Sequence, residues 1–284
     1  MSLPILLAFG AMVGWGIGDF LIQKTVKKIG AAETLFWTTV FSSIILIPFV
    51  WRDLQLLTMA SLPGLFILGI IGFLSGVIHF KALKIGKLAV LETILSIELP
   101  LTIILGLIFF KESLSLLQVG LIALLFIGII LISISFEKVH NRDWLEKGAV
   151  LALIAGLLVA LYNFVSASQA RALSPLIAIY VPWLVCCLIC WLYIRQKREK
   201  NLIQNFKLNW RLILIMVIID LLAWLAYTFA VAKEELAITI SITESYVVIA
   251  LILGVIINKE KIKIVQYVGA LLAIGSSLLI GLVK

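Results

Sequence analysis

Six ionisable side chains interrupt stretches of this sequence that are otherwise almost entirely apolar. They are Asp19, His79, Glu92, Glu98, Asp220 and Glu244. A charged side chain is costly inside a lipid bilayer, so such residues usually face a cavity, pair with one another or carry protons. Because acids outnumber bases, the pattern weakly favours a cationic ligand. We expect the proton-coupling groups to be Glu98, Asp220 and Glu244.

Helical spacing places aromatic rings beside two of these carboxylates. Asp220, Trp224 and Tyr227 stand at i, i+4 and i+7, and Trp15 precedes Asp19 by four residues. Each set therefore shares one face of a helix. A cation over an aromatic face gains about 1 to 2 kcal/mol in a poorly hydrated site. The spacing predicts a cavity for an organic cation, in which a desolvated carboxylate could also carry a proton.

Each of these side chains also has a structural interpretation. Tryptophan and tyrosine near helix ends commonly form an interfacial belt. A buried aspartate could simply hydrogen-bond to a neighbouring helix, for which Asn163 and Ser166 are available. His79 could be an ordinary hydrogen-bonded histidine near a helix end, and Glu92 lies close enough to a helix start to be interfacial. The sequence leaves these alternatives open.

The predicted substrate-binding residues combine the acids with aromatic and polar side chains. They are Trp15, Asp19, His79, Glu98, Asn163, Asp220, Trp224, Tyr227, Glu244 and Tyr246. The sequence has no phosphate-binding loop. Its three cysteines, Cys186, Cys187 and Cys190, have no histidine or carboxylate close in sequence that would complete a metal site. We therefore expect no cofactor, no metal and no catalytic residue.

The composition decides which class of protein can hold these residues. Of the 284 residues, 63% are hydrophobic and 13% are charged, and the mean hydropathy is +1.20. This leaves too few polar residues to cover a water-soluble globule. The apolar stretches are continuous and do not alternate as in a membrane barrel, so they indicate helices that span a bilayer. The sequence predicts an all-α, multi-pass protein of the cell (inner or plasma) membrane.

Ten predicted transmembrane helices account for most of the chain. They cover residues 3–23, 32–51, 61–83, 88–110, 115–136, 146–168, 174–195, 210–232, 236–257 and 263–282. The connections are short, and no soluble domain fits between them. The first helix lacks the features of a cleavable signal peptide, so we expect it to stay in the protein.

The ten predicted helices form two similar sequence repeats. Residues 82–112 return, shifted by 148 positions, as residues 230–260. Both copies end in Gly-x4-Lys-Glu, which is Gly106, Lys111 and Glu112 in the first copy and Gly254, Lys259 and Glu260 in the second. The predicted repeats are 1–138 and 146–284. Because each contains five helices, an odd number, the second repeat lies inverted in the membrane, as in many transporters.

One difference between the copies concerns the shape of the fourth helix. Pro100 lies within helix 4, whereas its counterpart in helix 9 is Val248. Proline removes a backbone hydrogen bond and bends a helix. We therefore expect a kink in the first repeat only.

Short motifs at the helix ends complete the pattern. They are Trp15-Gly16 in helix 1, Ala82-Leu83-Lys84 ending helix 3, the two Gly-x4-Lys-Glu segments, and the glycine-rich helices 5 and 10. Together they resemble the EamA branch of the drug/metabolite transporter superfamily. The resemblance implies a five-plus-five transporter with a central cavity lined by helices 1, 3, 4, 6, 8 and 9. It implies no particular substrate, since members are thought to move amino acids, nucleobases, sugars, choline-like amines and drugs.

Two arguments about orientation conflict. Of the 23 lysines and arginines, 18 lie in the connections 1–2, 3–4, 5–6, 7–8 and 9–10. The positive-inside rule then places those connections in the cytoplasm and both termini outside. The family resemblance implies the reverse. We favour the charge count, because the basic cluster within residues 195–211 is hard to translocate. The net charge of +8 thus reports topology and lipid contact, and no nucleic-acid partner is expected.

The expected function is secondary active transport by alternating access. The substrates would be small organic solutes such as amines, amino acids or related metabolites, exchanged for protons by a monomer or a homodimer. Alternatives are a carrier of choline-like or drug cations and a membrane scaffold without transport. An intramembrane aspartyl protease fits poorly, because Gly16-Ile17-Gly18-Asp19 has no Tyr-Asp partner: Asp220 follows Ile219.

Overall fold

The computed structural model describes residues 1–85, 88–133, 142–197, 201–257, 259 and 262–283, and of residues 88–90, 133 and 142–146 it describes the backbone only. Throughout this part of the chain the regular structure is helical. The predicted repeat boundaries at 138 and 284 and the residue Glu260 lie outside the described residues.

The described residues form ten helical spans, of which the fourth and ninth are each divided in two. The helices are α1 (Leu3–Ile29), α2 (Ala31–Val50), α3 (Leu62–Ile85), α4a (Leu88–Leu95), α4b (Glu98–Phe109), α5 (Leu116–Ser133), α6 (Arg142–Ala172), α7 (Pro175–Gln196), α8 (Leu202–Val231), α9a (Leu236–Thr243), α9b (Tyr246–Ile257) and α10 (Ile264–Ile280). Eight spans are long and apolar enough to cross a membrane, and the apolar parts of α5 and α10 are shorter. The protein is therefore an all-α, multi-pass membrane protein.

Several helices extend beyond their predicted ends. Helix α1 continues to Ile29 through a basic last turn, and α8 begins at Leu202, with non-helical backbone angles at Asn209. Hydropathy detects only the apolar part of a helix, so polar turns that continue it outside the hydrocarbon layer escape prediction.

The spans alternate in direction, which defines two faces of the molecule. Both termini and the connections 2–3, 4–5, 6–7 and 8–9 lie on one face, here called the termini face. The helix ends that flank the remaining connections, whose sequences contain most of the lysines and arginines, lie on the opposite face, here called the basic face.

The two breaks occur at equivalent positions of the repeats. Helix α4 is interrupted at Ser96 and Ile97, and α9 at Glu244 and Ser245, which are the same two positions 148 residues apart. The sequence interpretation was wrong here, because α9 breaks without a proline and Pro100 lies beyond the break in α4. Hydroxyl groups bond to backbone carbonyls beside both breaks, which offers the backbone an alternative to regular helical bonds.

Each major helix pair joins the two repeats. Helix α1 packs against α8, α3 against α6, α2 against α7 and α5 against α10, while α4a meets α9b and α4b meets α9a. Any ligand site near the two breaks therefore lies on the seam between the repeats, and both repeats contribute to it.

The pair α5 and α10 depends on a close approach of two glycines. A Cβ atom on Gly128 would lie 2.7 Å from the backbone oxygen of Gly269 and 2.7 Å from the amide nitrogen of Ala273. We expect Gly128→Ala to destabilise the protein by about 1 to 3 kcal/mol through overpacking, seen as a lower melting temperature in detergent. Gly120 on the same helix has open space around its Cβ position, so Gly120→Ala is the matched control. Equal melting temperatures for the two variants would contradict the expectation.

Candidate functional site

A cavity of about 130 Å³ lies between the repeats at the level of the helix breaks. Helices 1, 3, 4, 6, 8 and 9 contribute to its wall, as the family resemblance implies, and α2 and α7 contribute as well, through Thr38 and Trp183 among others. The wall also includes Ile22, Leu35 and Phe80, which lie near the ends of their helices on the basic face. The cavity therefore extends from the middle of the molecule toward the basic face.

Most of the predicted substrate-binding residues meet in this wall. They are Trp15, Asp19, His79, Glu98, Asn163, Asp220, Trp224 and Tyr246. Tyr227 and Glu244 lie behind the wall and are fully buried. The fold thus brings residues from six spans together at one cavity, and their role in substrate binding stays a prediction.

The aromatic residues pack on one another and form a layer, here called the aromatic layer, made of Trp15, Tyr162, Trp224 and Tyr227. The ring centroids of Trp15 and Trp224 are 4.9 Å apart in an edge-to-face arrangement. The ring centroids of Tyr162 and Trp224 are 5.2 Å apart, again in an edge-to-face arrangement, and those of Tyr227 and Trp15 are also 5.2 Å apart. Since Tyr227 lies further along α8 toward the termini face, the layer bounds the cavity on that side.

Glu92 is a site residue that the sequence interpretation missed. Its carboxylate is fully buried and accepts a hydrogen bond of 2.7 Å from the hydroxyl of Tyr246. Its other oxygen lies 3.3 Å from Nε2 of His79. The interfacial position considered for Glu92 is therefore wrong, because α4a is covered by α9b of the other repeat. Spacing within one helix contains no signal for a contact of this kind.

Asp19 completes a cluster with His79 and Glu92. One potential ligand atom from each of the three residues lies within 4.8 Å of the others. Zinc bonds of about 2.0 to 2.2 Å require ligand atoms about 3.5 Å apart, and both oxygens of Glu92 already have partners. The arrangement suits a network of hydrogen bonds and charges better than a metal site.

Glu98 and Glu244 form a carboxyl pair, one from each repeat, beside the two helix breaks. Their carboxyl groups are within hydrogen-bonding reach of each other. Oε2 of Glu98 and both oxygens of Glu244 find no donor among the described residues. A hydrogen bond between the two groups therefore requires that one of them carries a proton. The pair is suited to hold a single proton, as in other close carboxyl pairs.

An ion pair joins the two repeats on the termini face. Glu112, at the end of the first repeat's helix 4, accepts hydrogen bonds from the amides of Leu236 at 2.7 Å and Ala237 at 2.9 Å. It also accepts a bond of 2.8 Å from Arg171, which in turn donates to the backbone oxygens of Val231 and Glu234. These contacts, here called the Glu112 clamp, tie the first repeat to the start of α9a.

The repeated Lys-Glu motif explains how Glu112 reaches this position. Lys111 has a φ of 55°, a left-handed conformation that ends α4b and turns the chain back, and Lys259 has a φ of 56°. A Cβ atom at Gly106 would lie 2.9 Å from Oε2 of Glu112, so the glycine leaves room for the carboxylate. The sequence interpretation used these Lys-Glu pairs only as evidence of duplication and of the family resemblance, although their repetition at the same position was also a usable signal of a structural role.

Comparison with known proteins identifies the family and the fold of this chain. The model of the EamA-like transporter family matches residues 2–134 and again residues 146–282. A solved crystal structure superposes with a TM-score of 0.77 over 96% of this chain and 94% of its own, at 13% sequence identity. At that identity the likeness concerns the fold alone. No protein of curated function matches the sequence.

Proposed function

Because the chain belongs to the EamA-like transporter family, we propose that it is a secondary active transporter exchanging small organic amines for protons. The observation that supports this most directly is the acidic cavity. Asp19, Glu98 and Asp220 line it, whereas no lysine or arginine of the described residues does. An amine would supply the missing positive charge. Transport also explains buried acids at the seam better than a scaffold or a protease does, since such groups are expensive in a membrane.

The same wall argues for amines over amino acids. A free amino acid also has a carboxylate, which needs hydrogen-bond donors or a positive charge. Among the described residues the wall has neutral donors, such as the amide of Asn163 and the hydroxyl of Tyr162, but no lysine or arginine, and the imidazole of His79 is held by Glu92. Amines and related metabolites therefore fit this cavity better than zwitterions.

Alternating access would follow from the inverted repeats. In this proposal, residues 1–138 and 146–284 rock against each other around the cavity. The cavity extends toward the basic face, and the Glu112 clamp and the aromatic layer lie on the other side of it. If the basic face is cytoplasmic, as the charge count favours, this conformation faces the cytoplasm of the cell.

Neutral replacements test the assignment of the two aspartates to substrate binding. Asp19→Asn and Asp220→Asn are each expected to weaken binding of amines about tenfold or more, because each removes a charge from a buried site. Thermal shifts with polyamines, simple amines, choline, amino acids, nucleosides and sugars, followed by flux in liposomes, would measure this. Glu235→Gln, outside the cavity, is the control. Stabilisation by anions alone would refute the amine assignment.

A further inference from the structure

Three cavity-lining side chains offer hydrogen-bond acceptors to a ligand. Oδ1 of Asn163 receives no hydrogen bond from the residues that the structure describes, and the carboxyl groups of Asp19 and Glu98 lie in the same wall. All three side chains are more than nine-tenths buried, at 8% exposure for Asp19, 5% for Glu98 and 1% for Asn163. A buried acceptor left without a donor costs about 1 to 3 kcal/mol. A ligand that brings N–H groups would remove this cost.

Few faces of the aromatic rings are available for cation–π contact with a ligand. Quaternary ammonium ligands are usually held in cages whose ring faces surround the methyl groups. Here Trp15 and Trp224 stand edge to face at 4.9 Å, Tyr162 packs against Trp224, and Tyr227 packs against both tryptophans. The rings therefore contact each other, and the aromatic layer forms a wall of the cavity instead of an enclosing cage.

From these two observations we infer that the cavity selects protonated amines that keep their N–H groups and discriminates against quaternary ammonium ions of the same skeleton. A primary ammonium has three donors for the acceptors of Asp19, Glu98 and Asn163. Each added methyl group removes one donor and adds volume inside a cavity of about 130 Å³. A trimethylammonium group keeps the charge but offers these acceptors no donor. This inference rests on the proposed amine transport and narrows its substrate class.

A methylation series isolates the donors from the charge. Ethanolamine, its N-methyl and N,N-dimethyl derivatives and choline share one skeleton and one positive charge at neutral pH, and benzylamine with its N,N,N-trimethyl derivative repeats the comparison on a larger skeleton. Affinity for the purified protein, from thermal shifts and competition in liposome flux, is expected to fall with each methyl group, by about 10-fold to 100-fold over the whole series.

A variant of the acceptor set checks the cause of the trend. Asn163→Ala is expected to weaken binding of the primary amine and to leave binding of the quaternary ion unaffected, so the affinities across the methylation series should become more alike. The melting temperature of this variant without ligand shows whether it folds. Asn163→Leu, which keeps about the same side-chain size and has no acceptor, gives the same readout if the alanine variant fails to fold. Equal or tighter binding of the quaternary ions would overturn the selectivity while leaving cation transport standing. If no amine of either skeleton binds, both the selectivity and the proposed function fail.

Discussion

Glu112→Gln is expected to destabilise the protein by about 2 to 4 kcal/mol, because it removes the charge at the centre of a mostly buried ion pair. The Glu112 side chain is 5% exposed and that of Arg171 is 27% exposed. The carboxylate satisfies two backbone amides at the start of α9a, where the helix dipole also favours a negative charge. Glutamine keeps the size but has one acceptor oxygen and no charge. Arg171 would then lose its ionic partner.

Hydrogen exchange measures this effect at the atoms concerned. The amides of Leu236 and Ala237 are expected to exchange faster in Glu112→Gln, together with a lower melting temperature. Glu235→Gln is the matched control. Desolvation and the neighbouring carboxylates of Glu112 and Glu234 raise the pKa of Glu235, so its charge is unfavourable in the folded protein and its removal should not destabilise. Unchanged exchange at both amides in Glu112→Gln would show that the clamp does not hold α9a.

The Glu112 clamp also bears on alternating access. Glu112 belongs to the first repeat, whereas Arg171 and the start of α9a belong to the second. Rocking of one repeat against the other would have to break these bonds before the termini face opens. Glu112→Gln should therefore shift the protein toward opening on the termini face, which would appear as faster exchange in cavity-lining peptides from that side.

Glu98→Gln and Glu244→Gln are each expected to uncouple transport from protons. A pair that shares one proton needs two carboxyl groups, and a glutamine at either position cannot release or accept that proton. Amine accumulation driven by an acidic interior in liposomes should fall about tenfold or more. Exchange of labelled for unlabelled amine at equal pH should continue, because the carboxylates of Asp19 and Asp220 remain and a glutamine at position 98 still offers the amine an acceptor oxygen.

The comparison of these two assays decides the role of the pair. Glu235 lies outside the cavity, so Glu235→Gln should keep both the accumulation and the exchange of amine. A loss of exchange together with accumulation would assign Glu98 and Glu244 to substrate binding instead of coupling. Full retention of the response to the pH gradient in both variants would remove the pair from the mechanism.

Much of the architecture can be predicted from the sequence, because the patterns that indicate it lie within short stretches of the chain. Continuous apolar stretches identify the spans, since each one must satisfy its backbone bonds internally in lipid. The repeated Gly-x4-Lys-Glu motif reveals the duplication. The spacing of Trp15 with Asp19, and of Asp220 with Trp224, identifies cavity-lining faces, because helical period fixes which side chains share a side.

Contacts between helices had to come from the tertiary structure. Glu92 and Tyr246 are 154 residues apart in sequence, and Glu112 and Leu236 are 124 residues apart. Whether the aromatic rings form a cage or a packed layer depends likewise on how α1, α6 and α8 lie against one another. Periodicity determines which side chains share a helix face, but which faces meet depends on the packing of two inverted repeats, and a single helix contains no signal of that packing.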